Sequence, residues 1–67
     1  MVDTRGYLCP MPVVMVQKEI QSHTPDVLEV MADDMAAVEN ISRFARNHGY
    51  SVEVNTQGNE WKLILRK

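Results

Sequence analysis

A chain of 67 residues makes one domain, here 1–67, near the lower size limit for folding unaided, and its 45% hydrophobic content must supply the stability. A net charge of −2 speaks against a nucleic-acid surface, because phosphate binding rests on clustered Lys and Arg. The single cysteine excludes an internal disulfide, and with two histidines it falls short of the four ligands of a closed zinc site, so neither a metal nor a bound cofactor is expected.

Val2 to Arg5 reads as a short first strand that ends at Gly6. Cys9-Pro10-Met11-Pro12 then opens a helical pattern. Val13, Val16, Gln17 and Ile20 recur at helical spacing on one face, widened by Val14. Ser22-His23-Thr24-Pro25 breaks this helix. From Val27 to Ala32, apolar Leu28, Val30 and Ala32 alternate with Val27, Glu29 and Met31, which predicts a half-buried strand. Asp33-Asp34 supplies the N-cap of a second helix whose inner face is Ala37, Val38, Ile41, Phe44 and Ala45. His48-Gly49 stops it. Tyr50 to Val54 is a third strand, Gln57-Gly58-Asn59 a turn, and Trp61 to Arg66 a fourth strand with Trp61, Leu63 and Leu65 on one face.

The order is β-α-β-α-β-β. Right-handed crossovers then give a two-layer α/β sandwich: a mixed four-stranded sheet with both helices on one face and the other face open. If the first three strands run parallel, their carboxyl ends share one edge. That edge gathers the Gly6–Cys9 loop, Asp33-Asp34 and the turn at 56–60, and leaves Arg66 and Lys67 at the opposite edge.

Cys9 is the candidate catalytic residue. Proline suits the first helical position, where its missing N–H would be unbonded anyway, so Pro10 at N1 makes Cys9 the N-cap and Pro12 the N3 residue. A thiolate at the N-cap can accept from the Met11 N–H and feels the positive end of the helix dipole. Both effects lower its pKa from the free-thiol value of about 8.5. Asp33 and Asp34 nearby would raise it, so a modest net depression is expected. A solitary, exposed thiolate suits sulfur relay, because a second cysteine would convert a persulfide to a disulfide and release sulfide. It does not suit a dithiol redox cycle, which needs Cys-x-x-Cys.

Other residues have supporting roles. Asp3 is expected to order the loop before Cys9 by hydrogen bonding, and Gly6 to serve a backbone turn. Met11 and Met15 lie on a flank of the first helix; they are either edge-of-core packing or a soft apolar docking patch for partners. Asp33 and Asp34 read as caps, and the two histidines as partners of helix C-termini. No apolar run has signal-peptide or membrane-span length, and with an unpaired thiol this points to a reducing cytoplasm.

The run Val2-Asp3-Thr4-Arg5-Gly6-Tyr7-Leu8-Cys9-Pro10-Met11-Pro12, with Ala32-Asp33-Asp34 and the basic ending Leu65-Arg66-Lys67, resembles the TusA/SirA-like sulfur carrier proteins over essentially the whole chain. The resemblance implies a β-α-β-α-β-β sandwich and a persulfide carried on Cys9 as the transferred group. It implies a sulfurtransferase that works with partner proteins: a cysteine desulfurase or rhodanese-like donor and a sulfur acceptor. Met11 stands where the branch serving tRNA thiolation commonly has Glu, Tyr7 where Leu is usual, and Met35 where Pro often follows the Asp pair. The pathway, and sulfur versus selenium as cargo, therefore stay open. The alternatives are a non-catalytic regulatory or interaction module and, by fold analogy alone, an RNA-binding domain.

Overall fold

The computed structural model of the protein describes residues 2–8 and 10–67; Met1 and Cys9 lie outside the described residues. The elements are β1 (Val2–Asp3), α1 (Met11–His23), β2 (Val27–Ala32), α2 (Met35–Asn47), β3 (Ser51–Gln57) and β4 (Glu60–Arg66). They form a four-stranded sheet in the order β1-β2-β4-β3. β1 is parallel to β2, and β4 runs antiparallel between β2 and β3, so β1, β2 and β3 all point the same way. This is the expected mixed sheet.

Side-chain alternation explains why the helices share one face. Leu28, Val30 and Ala32 of β2 stand opposite Leu65, Leu63 and Trp61 of β4. They meet Val16 and Ile20 of α1 and Ala37, Val38, Ile41 and Ala45 of α2 in one buried cluster. Phe44 and Trp61 pack against that cluster, half-buried. The other sheet face carries no helix and is charged around a buried Met31: Lys62 pairs with Glu29 at 3.6 Å and Arg66 with Glu53 at 3.1 Å.

Several boundaries differ from the sequence reading, three of them for a clear local reason. Regular pairing of β1 ends at Asp3 rather than Arg5, although Thr4 still donates its N–H and its hydroxyl to Met31 O, at 2.9 and 2.6 Å. α1 runs on to His23 and closes at Thr24, whose left-handed φ of 42° ends the helix just before Pro25, which disfavours further helix. β3 continues three residues past Val54, because the tight turn at Gly58-Asn59 carries the ladder to Gln57 opposite Glu60. Gly58 has φ 64° at the first central position of that turn, which glycine adopts without strain.

Candidate functional site

The carboxyl ends of β1 and β2 bring four segments to one edge: the loop after β1, the N-termini of α1 and α2, and the turn before β4. The opposite edge holds Arg66 beside Val27 in the β2–β4 ladder, and the Lys67 N–H bonds Asp26 O at 2.8 Å. The gathering of Gly6, Asp33-Asp34 and the β3–β4 turn at one edge is as the strand directions required.

Four acidic residues of this edge have definite partners. Asp3 holds Arg5 in a two-pronged grip, Nε on Oδ1 at 2.9 Å and Nη2 on Oδ2 at 2.8 Å, and its Oδ1 also accepts the Arg5 N–H at 3.1 Å. These bonds to Arg5 lower the Asp3 carboxyl to about 2. Arg5 reaches on to Glu60 Oε1 at 3.2 Å, which ties the loop after β1 to the start of β4. Gly6 takes a left-handed φ of 85° and donates its N–H to Asp33 Oδ2 at 3.0 Å. Of the Asp pair only Asp34 caps α2, accepting the Ala36 N–H at 3.0 Å. Asp33, read as a cap from the sequence, instead pins the loop.

The start of α1 corrects a second expectation. The N-cap is Pro10, with φ −97° and ψ 13°, not Cys9; Met11 is the first helical residue and Pro12 the second. The Met11 N–H, assigned from the sequence to the Cys9 sulfur, is donated to Leu8 O at 2.9 Å, and the first helical hydrogen bond runs from Val14 N–H to Pro10 O at 3.2 Å. A tight turn thus precedes the helix and moves its start by one residue. Pro10 and Pro12 contribute no N–H. Cys9 itself, the predicted catalytic residue, falls outside the described residues.

The apolar surroundings are lopsided. Leu8 is 82% exposed, and Tyr7, Met11 and Met35 are each between 43% and 49% exposed. Pro10, Pro12 and Val13 form a small apolar notch with Ala37 and Asn40, where α1 meets the first turn of α2. Met15, paired with Met11 as a possible docking patch, packs against the core instead, so the pair divides: Met11 faces out and Met15 in. The sequence reading missed Arg5 and the loop-pinning of Asp33. An Asp two residues before an Arg, with a glycine turn directly after, was the available signal for the first; nothing local signalled the second. Among the described residues, no group of three or more His, Cys, Asp or Glu is placed to hold a metal ion, and no helix is long and apolar enough to cross a membrane.

Comparison with known proteins places this geometry. A family model described as sulfurtransferase TusA matches residues 1–67. The chain is 34% identical to the "putative sulfur carrier protein" of Methanocaldococcus jannaschii, over 98% of this chain and 91% of the other. It is 32% identical to the "putative sulfur carrier protein YedF" of Escherichia coli strain K12, over 98% and 88%. The SirA-like protein of Desulfitobacterium hafniense, 22% identical, superimposes with a TM-score of 0.86 over 97% of this chain and 92% of the other, and so shares the fold. The chain therefore belongs to the TusA family, described as sulfurtransferases, and the relatives it matches bear the sulfur-carrier names given above.

Proposed function

We propose that the protein accepts sulfane sulfur from a donor protein as a persulfide on Cys9 and hands it to an acceptor protein. The Cys9 thiolate attacks the outer sulfur of a donor persulfide. A new S–S bond forms to that sulfur, the donor's own S–S bond breaks, and the donor leaves as a thiolate. In delivery the acceptor thiolate attacks the outer sulfur of Cys9–S–SH, and Cys9 leaves as thiolate. Each step exchanges one S–S bond for another and needs no oxidant, reductant or bound cofactor.

The observation that carries this reading is the setting of the family's Cys-Pro-x-Pro motif. The loop before it is tied down twice, through Gly6 to Asp33 and through Arg5 to Asp3 and Glu60. The residues around it are apolar and exposed. Rigid backbone beneath exposed apolar side chains suits repeated docking by different proteins. The edge also carries Asp3, Asp33, Asp34 and Glu60 against Arg5 alone, a net −3, while the whole chain is −2. An acidic rim of this kind suits a protein donor with a basic rim and repels RNA.

The test is direct. Reduced protein is incubated with a cysteine desulfurase and cysteine, then weighed intact by mass spectrometry. Carriage requires a gain of one sulfur atom that dithiothreitol reverses and Cys9→Ser abolishes. An unchanged mass under conditions that load another carrier would leave only an interaction module.

A further inference from the structure

The sheet has two unequal edges. On one side β1 spans only two residues, and short edge strands are a common protection against unwanted pairing. On the other side β3 presents seven residues whose outer backbone groups meet no strand among the described residues. It lacks the usual protections: there is no proline, lysine or arginine in Ser51-Val52-Glu53-Val54-Asn55-Thr56-Gln57, and the one charge, Glu53, is already paired with Arg66. Its helix-side residues are only partly covered. Val54 is 42% exposed and Val52 half-buried, whereas their β4 neighbours Leu63 and Leu65 are fully buried.

We propose that β3 is the seam of a homodimer, two copies pairing antiparallel about a two-fold axis through Val54 into one continuous sheet. The register follows from the sequence of the strand. Centring on Val54 is the choice that uses the whole strand, with Ser51 opposite Gln57, Val52 opposite Thr56 and Glu53 opposite Asn55 of the second copy. It sets Val54 against its own counterpart on the helix side, and no like charges face each other. Centring on Glu53 would oppose two carboxylates and shorten the ladder. A shift by a single residue in the pairing would turn the second copy's helices to the opposite face.

The flank of α2 above the strand adds charge complementarity. Ala37 and Asn40 of α2 face the α1 notch, and at 100° per residue Val38, Ser42 and Arg46 lie on the flank turned away from α1. That flank forms a groove of about 410 Å³ with Glu39 and Arg43. Glu39 lies near the start of α2 and Arg46 near its end, so antiparallel helices set the acidic start of one copy toward the basic end of the other. A standard interface buries about 800 Å² per partner, roughly a fifth of the 4034 Å² surface of this chain. One strand and a grazing helix flank supply less, so the dimer is a weak, reversible one. The motif loops follow β1, at the far side of each sheet, and stay open.

Sedimentation equilibrium of the reduced full chain, from micromolar to millimolar, tests this. The expected result is a reversible monomer–dimer equilibrium. Val54→Lys puts two ammonium groups face to face at the axis and should weaken it at least tenfold, with the monomer's circular dichroism unchanged because residue 54 is exposed. Asn55→Lys sets lysine opposite Glu53 twice and should tighten it several-fold in low salt. A chain that stays monomeric at millimolar concentration, a dimer indifferent to Val54→Lys, or an Asn55→Lys dimer no tighter than wild type would each overturn the proposal.

Discussion

The Gly6 N–H donates to Asp33 Oδ2 at 3.0 Å, joining the loop after β1 to the residue that follows β2, 27 positions away in the chain. Strand pairing brings the two close: Asp3 is opposite Met31 in the β1–β2 ladder, and each loop leaves its strand within a few residues. The bond fixes the backbone that leads into the Cys-Pro-x-Pro motif.

Asp33→Ala should therefore loosen the loop without unfolding the protein. A hydrogen bond to a charged, exposed acceptor adds about 1 kcal/mol at most, so the urea midpoint should fall only slightly. Persulfide loading from a desulfurase should slow several-fold, and Asp33→Asn, which keeps an acceptor oxygen, should recover most of the rate. Equal rates for wild type and Asp33→Ala would remove Asp33 from any positioning role.

Asp3 gives a pH signature. Its hydrogen bonds to Arg5 hold the folded-state pKa at about 2, below the ordinary value of 3.8. A depressed carboxylate contributes stability that is fully present above the unfolded value and is lost as pH falls through the folded one. Wild type should thus exceed Asp3→Asn in stability by a constant margin above about pH 5, and the margin should shrink between about pH 4 and pH 2. Urea midpoints at a series of pH values would measure it. Because the pair is exposed, added salt should narrow the margin.

Leu8 and Leu63 separate docking from folding. Leu63 is fully buried at the centre of the sheet, and Leu63→Ala should cost about 2–5 kcal/mol, enough to threaten a domain this small. Leu8 is 82% exposed, and Leu8→Ala should change stability by less than about 0.5 kcal/mol. Transfer to or from a partner protein should nonetheless fall about fivefold or more, as for an apolar anchor of an interface. Thermal melts beside transfer kinetics would show the division. Unimpaired transfer by Leu8→Ala would place the docking surface elsewhere.

Much of this was legible in the sequence because the signals were local and agreed with each other. Alternation at Leu28, Val30 and Ala32 and helical spacing at Ala37, Val38, Ile41 and Ala45 set the elements and their inner faces. The lone Cys9 between Leu8 and Pro10 marked the motif. What failed depended on neighbours remote in sequence or on fine backbone geometry. Thr56 and Gln57 carry no apolar alternation, and they are strand because Trp61 and Glu60 pair with them. Pro10 reads as the first helical residue because its missing N–H suits that position, and the Leu8–Met11 turn makes it the cap instead. Asp33 and Asp34 look interchangeable as a pair; only the position of Gly6 divides their roles.

The central claim is that sulfur rests on this chain between two proteins, and a pulse–chase with radiolabelled sulfur addresses it most directly. The chain is loaded from labelled cysteine and a desulfurase, stripped of donor, and mixed with a thiol-bearing acceptor protein. Label should leave this chain and appear on the acceptor as dithiothreitol-labile sulfane sulfur, with none carried through by Cys9→Ser. Label that stays bound, or that escapes only as free sulfide at a rate indifferent to the acceptor, would contradict a carrier.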